Sequence, residues 1–216
     1  MVVVACAGLL SACATGQPAE QDLSHADIAH IANVKSGFGS EFKVTSVGPT
    51  GIDPRLLGPQ TLQQGMTFDP ADCAKAASQQ AVPAGAKGNM AATTAEGDGN
   101  RFIAIAVETS EAVPRNDPAQ NCQKVGFSGP GVRGLVEVVE APHIDGVHTL
   151  GIHRVLQTTA DGKPRTGELY NYIASFGTFL VIVTANPLVL PDKPVAPVNT
   201  QRARDLLTAA VEAVRG

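Results

Sequence analysis

The chain has 216 residues, of which 44% are hydrophobic, enough to bury a substantial core and to exclude wholesale disorder. Its formal charge is −4, and its Lys and Arg form no cluster. Nucleic-acid binding, which needs a basic footprint, is therefore disfavoured, as is strong docking of the folded part on anionic lipid head groups.

At the N-terminus, residues 2–10 are apolar and lead into Leu10-Ser11-Ala12-Cys13. This matches a lipobox, in which the cysteine is acylated and the segment before it is removed. No Lys or Arg precedes the run, so either translation starts upstream of Met1 or the basic start has been trimmed. The competing reading, a buried strand or helix start, is opposed by the polar stretch from Thr15 to Gln21 that follows. The expected organisation is a signal peptide over 1–12, a tether lipidated at Cys13 over 13–25, and a single domain over 26–216. A diacylglycerol anchor holds firmly, unlike a lone acyl chain. No later run approaches the ~18–20 apolar residues of a membrane span; the longest, 179–185, has strand length.

Cys6 lies in the leader and Cys13 takes the lipid, leaving Cys73 and Cys122 in the domain. Two cysteines in an oxidising compartment pair, and closing that loop is worth ~4 kcal/mol on the loop-entropy model. A zinc site would need further ligands, and no Cys-x-x-Cys or close His pair flanks either cysteine.

Ile28, Ile31 and Val34 recur at helical spacing, so a short helix is expected over 27–35. Residues 42–47 alternate and read as a first strand. A helical turn over 54–64 ends at Gly65. A second helix is expected over about 70–81, with Asp69 as N-cap, Pro70 in the first position, Cys73 in the first turn and Pro83 as the stop. Asp98-Gly99 separates strands 89–96 and 101–109, and Asp145-Gly146 separates 132–141 from 147–159. Asp161-Gly162 leads to 166–175, and Gly177 leads to 178–185. Asx-Gly supplies the positive φ that tight hairpins need, so 132–185 reads as a four-strand antiparallel meander. The segment 187–197 carries four prolines and cannot be a central strand. A last helix, capped near Asn199 or Thr200, presents Ala203, Leu206, Leu207, Ala210, Val211 and Val214 as one apolar stripe. Strands 101–109 and 179–185 are apolar at both parities, so both of their faces must be covered. Few helices are available for that, which leaves sheet curvature and long loops, lipid or a partner. The expected fold class is α+β: a largely antiparallel sheet of about six strands with helices on one face.

Ser128 lies in Gly126-Phe127-Ser128-Gly129-Pro130, which fails as a nucleophile elbow because Pro130 stands where glycine is required. Gly85-Ala86-Lys87-Gly88 lacks the spacing of a phosphate-binding loop, and the stretch from Glu96 to Asn100 lacks the distal Glu of a calcium loop. His143, His148 and His153 invite a metal, but His148 and His153 differ by five positions and point to opposite strand faces. Glu168, Tyr170 and Tyr172 share one strand face, with Arg154 across the pairing, and form the candidate ligand-binding patch.

The lipobox, the Phe68-Asp69-Pro70-Ala71-Asp72-Cys73 helix start, the hairpin from Gly88-Asn89-Met90 to Thr109 and the downstream Cys122 together resemble uncharacterised mycobacterial cell-envelope lipoproteins. These are broadly similar to extracytoplasmic sensor-like domains of membrane Ser/Thr kinases. The resemblance covers about residues 26–216 and implies an antiparallel sheet packed by helices, with a helix-to-loop disulfide. It brings no ligand, cofactor or catalytic residues. The expectation is thus a non-enzymatic lipoprotein on the extracytoplasmic side of the cell membrane, held by its lipid anchor. It binds a lipid, another ligand or an envelope-protein partner. The alternatives are a protein-interaction or scaffolding module and, less favoured, a hydrolase acting on wall polymers or lipids.

Overall fold

Two strands with apolar side chains at both parities set the architecture, because neither face can be left to water. A computed structural model describes residues 22–53, 57, 62, 65–83, 85–113, 115, 117–160, 162–191 and 193–216 of the chain. The leader, Cys13, the tether up to residue 21 and most of the turn expected at 54–64 lie outside the described residues. The strands are β1 (Lys43–Gly51), β2 (Thr67–Asp69), β3 (Gly88–Gly97), β4 (Asn100–Thr109), β5 (Lys124–Gly129), β6 (Val132–Val139), β7 (His148–Ala160), β8 (Lys163–Phe176) and β9 (Phe179–Pro187). They form one sheet in the order β1-β3-β4-β9-β8-β7-β6-β5-β2. Every neighbouring pair is antiparallel.

The sheet therefore has nine strands where about six were expected. Seven of them fall on the segments that read as strands, and β2 and β5 are the two that do not. β5 occupies the stretch around Ser128 that carries no strand pattern, because Gly126 and Gly129 dilute its alternation, while Val125 and Phe127 are buried. The meander from β6 to β9 matches the expected order.

One face of the central strands is covered by helices. The C-terminal α-helix, Thr200–Arg215, starts at Asn199, whose side chain accepts from the Arg202 N–H at 2.9 Å. It buries the whole expected stripe from Ala203 to Val214 against Phe102, Ala104, Ala106, Val181, Val183 and Ala185. Beside it lies a 3₁₀ helix, Ile28–Gly37, capped by the Asp27 carboxylate, which accepts from the Ala29 N–H at 2.7 Å. Its apolar residues are spaced by three, so three residues per turn align Ile28, Ile31 and Val34 on one line.

Loops that cross the sheet cover the other face. The chain runs from β1 at one edge to β2 at the opposite edge, returns to β3, and crosses again from β4 to β5. Ile52, Leu57, Val82, Ala86 and Val113 thereby reach Met90, Ile105, Val107, Leu180 and Ile182. Met66, Phe68 and Ala77 reach Val125, Phe127, Val136 and Ile152. A disulfide between Cys73 and Cys122, with Cα atoms 5.4 Å apart, ties the second crossing to the third. Of the two open edges, β2 is three residues long, and β1 carries a register shift between Val47 and Thr50, around Pro49.

The helix expected at 70–81 is shorter. Asp69 is the last residue of β2, paired with Gly126, so Pro70 takes the N-cap position. A single 3₁₀ turn, Ala71–Cys73, leads into an α-helix, Ala74–Ser78. Gln79 is already extended, which carries the chain from the cluster around Ala77 to the one around Val82. Asp98 and Gly99 both have positive φ, 47° and 72°, the type I′ turn that suits a two-residue hairpin. Asp145-Gly146 does not join its strands so tightly: β6 ends at Val139, and the pair forms a turn closed by Val147 N–H to the Ile144 carbonyl at 3.0 Å. Asp161 lies outside the described residues, but Ala160 pairs with Lys163.

Asn100 is a buried pin. Its amide donates to the carbonyls of Asp98 at 3.1 Å and Pro197 at 3.3 Å, and its oxygen accepts from the Asn199 N–H at 3.0 Å. One side chain thus joins the hairpin, the proline segment 187–197 and the start of the last helix. Asn100→Ala should cost about 2–3 kcal/mol in urea unfolding, from buried partners left unsatisfied. Replacing both Cys73 and Cys122 by Ser should cost ~4 kcal/mol, measured against the oxidised parent.

Candidate functional site

The helices cover only part of their face. Beyond β8 the same face continues across β7, β6, β5 and β2. Counting back along the β7–β8 hairpin pairs Val155 with Glu168, His153 with Tyr170 and Gly151 with Tyr172. Extending each pair across β6, β5 and β2 gives successive rows on one face. One row reads Thr67, Ser128, Arg133, Gln157 and Thr166, and the next Asp69, Gly126, Leu135, Val155 and Glu168. The third reads Lys124, Glu137, His153 and Tyr170.

Tyr170 and His153 stack face to face, with centroids 4.1 Å apart and planes 10° apart. His153 Nε2 lies 3.3 Å from the Glu168 carboxylate, and Lys124 Nζ lies 3.3 Å from Glu137. Burial raises the Tyr170 phenol above its usual 10, and the carboxylates of Glu168 and Glu137 add to the rise. Tyr172 is deeper, 1% exposed beneath the C-terminal helix. Burial raises its phenol as well, offset in part because its oxygen accepts from Arg204 and Thr200. Beside these rows a surface groove of about 520 Å³ runs over Leu135, Val155 and Gly126, rimmed by Thr67, Asp69, Ser128, Arg133 and Gln157.

The structure brings Glu168, Tyr170 and Tyr172 together on this face and takes Arg154 away from it. Arg154 pairs with Leu169 and Val136, so its side chain lies on the opposite face, 7% exposed. Burial lowers its guanidinium to about 10, still cationic at neutral pH. The residue across from Tyr170 is His153, one position earlier than expected. The signal that finds it is the register of the β7–β8 hairpin.

The remaining motifs resolve into local structure. The three histidines each meet a different carboxylate: His143 meets Asp145 at 3.2 Å, His148 meets Asp117 at 2.6 Å, and His153 meets Glu168. His148 and His153 lie on opposite faces, and among the described residues no group of three or more ligands converges on a metal position. Ser128 shares its hydroxyl with Thr67 at 2.9 Å rather than with a histidine. Gly88, at φ 151°, packs its Cα side against the Glu108 carbonyl, where a Cβ would come within 1.9 Å. Glu96 pairs with Arg101 at 2.6 Å across the hairpin.

The chain's two tyrosines, in the absence of tryptophan, report on this region by absorbance. Both phenols should ionise above pH 10 in a spectrophotometric titration, and Glu168→Gln should lower the Tyr170 midpoint. A phenol whose folded pKa is raised stabilises the fold fully below its unfolded value. That contribution is lost as pH rises through the folded value.

The crystal structure of an uncharacterised protein from Mycobacterium smegmatis, an ortholog of Rv0999, is 63% identical to this chain. The match covers 88% of this chain and 98% of that one, with a TM-score of 0.82. The extracellular domain of PknH from Mycobacterium tuberculosis is 16% identical over 90% of this chain and 97% of that one, with a TM-score of 0.37. No curated protein matches. The family model for a domain of unknown function, DUF5642, matches residues 27–215, and the chain belongs to that family.

Proposed function

We propose that the chain is an exported domain, anchored by lipid at Cys13 on the extracytoplasmic side of the membrane, that binds a ligand without catalysing a reaction. The observation that carries export is the disulfide. Cys73 is fully buried and Cys122 nearly so, and their bond joins two sheet crossings that pack on the core. Structural disulfides of this kind persist in oxidising compartments. The lipobox ending at Cys13 supplies the matching address, and no helix of the described residues is long and apolar enough to cross a membrane.

The open half of the sheet face supports ligand binding. It carries the His153–Tyr170 stack with the Glu168 carboxylate and, next to them on the same face, a groove of about 520 Å³ lined by Thr67, Ser128, Gln157 and Asp69 over Leu135 and Val155. Small-molecule sites typically measure ~300–1,000 Å³ and combine apolar floors with a few placed polar groups. A lipid chain held inside the core is disfavoured, because Ala104, Ala106, Val181, Ile182 and Val183 are fully buried by protein on their two faces. A second reading, docking of an envelope protein, draws on the proline segment, where Val189 is 78%, Leu190 42% and Val195 55% exposed.

Intact mass spectrometry of the full chain, extracted from a mycobacterial membrane, tests the reading. The expected mass lacks residues 1–12, carries acyl groups on Cys13 and shows a two-hydrogen deficit for the disulfide. Cys13→Ala should leave the membrane fraction. A small molecule retained under native conditions should be lost on His153→Ala. An unprocessed protein with free thiols at Cys73 and Cys122 overturns the reading.

A further inference from the structure

Where the folded part takes up its tether constrains how the domain stands. From Asp22 onward the chain is engaged. The Asp22 carboxylate accepts from the Ser24 N–H at 3.0 Å, and the Ala26 N–H donates to the Leu23 carbonyl at 3.1 Å. The Asp27 N–H then donates to the Val214 carbonyl at 2.8 Å. Leu23 packs against Gly177, where a Cβ would meet its Cδ1 at 2.6 Å, and His25 packs against Gly216. The entry point therefore sits at one pole of the central strands, beside the β8–β9 turn and the end of the last helix. The β6–β7 loop joins this pole, because Arg215 donates to the Asp145 carbonyl at 2.9 Å.

The opposite pole holds the Asp98-Gly99 turn, the proline segment and the start of the last helix, all joined through Asn100. β4 spans the distance between the poles with ten residues, ~30 Å at strand rise. Nine residue steps connect Cys13 to Asp22, a reach of at most ~32 Å. At full stretch the tether is about as long as the domain, and as a coil of nine residues it spans roughly half that.

We propose that the Gly177 pole faces the bilayer and the Asp98–proline-segment pole points away from it. This rests on lipidation at Cys13. The near pole is held toward the lipid surface by the tether that enters there, not by docking of its side chains. The central strands then stand along the membrane normal, and the open sheet face is reached from the side. The chain's formal charge of −4 and the lack of any Lys/Arg cluster give the domain no electrostatic reason to lie flat on anionic lipid. The competing arrangement has the domain tipped over, with exposed Val189, Leu190 and Val195 in the lipid.

Energy transfer from single-site labels to acceptor dye in the bilayer separates the two. The acylated full chain is placed in phosphatidylcholine vesicles carrying a lipid-bound acceptor, with a donor on His143→Cys or on Lys193→Cys. His143 is 90% exposed in the near-pole loop, and Lys193 is exposed on the proline segment. Acylation of Cys13 and the Cys73–Cys122 bond leave the introduced cysteine as the reactive thiol. The expected result is transfer from position 143 at least threefold above that from position 193. Equal transfer, or the reverse order, overturns the orientation while leaving the anchor intact. Protein that fails to float with the vesicles overturns the anchor reading, and the orientation with it.

Discussion

A sheet whose inner strands are apolar on both sides needs two covers, and the two covers of this protein are made differently. β4 and β9 present Phe102, Ala104 and Ala106, with Val181, Val183 and Ala185, to one side. To the other they present Ile105 and Val107 with Leu180 and Ile182. The first side receives regular helices, whose stripe spacing matches the strands beneath. The second receives chain in transit between opposite edges, and it needs a covalent tie because loops bring few internal hydrogen bonds of their own. The small residues at the helix contact, Ala104, Ala106, Ala174 and Ala185, allow the helix to approach the sheet closely.

Much of this was legible from residue order. The hairpin at Asp98-Gly99, the order of the last four strands and the buried stripe of the C-terminal helix each follow from local chemistry. What stayed hidden was non-local. β5 is stabilised by Val125 and Phe127 packing under a crossing that arrives from tens of residues away, so its own glycine-diluted pattern says little. The helix after Pro70 ends at Ser78 because Ala77 and Val82 are claimed by different clusters. Helix propensity carries no information about that division.

The candidate site shows the same divide. Alternation along β8 correctly groups Glu168, Tyr170 and Tyr172, since side chains two apart share a face. Which residue stands opposite depends on register, and a slip of one position exchanges His153 for Arg154 and moves a cation to the other face. The outer rows, from Thr67 through Ser128, Arg133 and Gln157, depend on β2 and β5 and so were beyond reach without the sheet order. How far the C-terminal helix extends across the face decides that Tyr172 is covered while Tyr170 remains half-buried.

The edge-to-edge crossings also bear on the order in which the chain assembles. β3 with β4, and the run from β5 to β9, join strands that are mostly close in sequence, so their closure entropy is small. β1 and β2 are nearest neighbours in sequence yet lie at opposite ends of the sheet, and β2 finds its partner only across 124–129. Pairings of that separation are slow to form. The two hairpin units should therefore condense first and the crossings settle over them last. In native-state hydrogen exchange the edge strands should form a distinct unit that opens before the centre of the sheet.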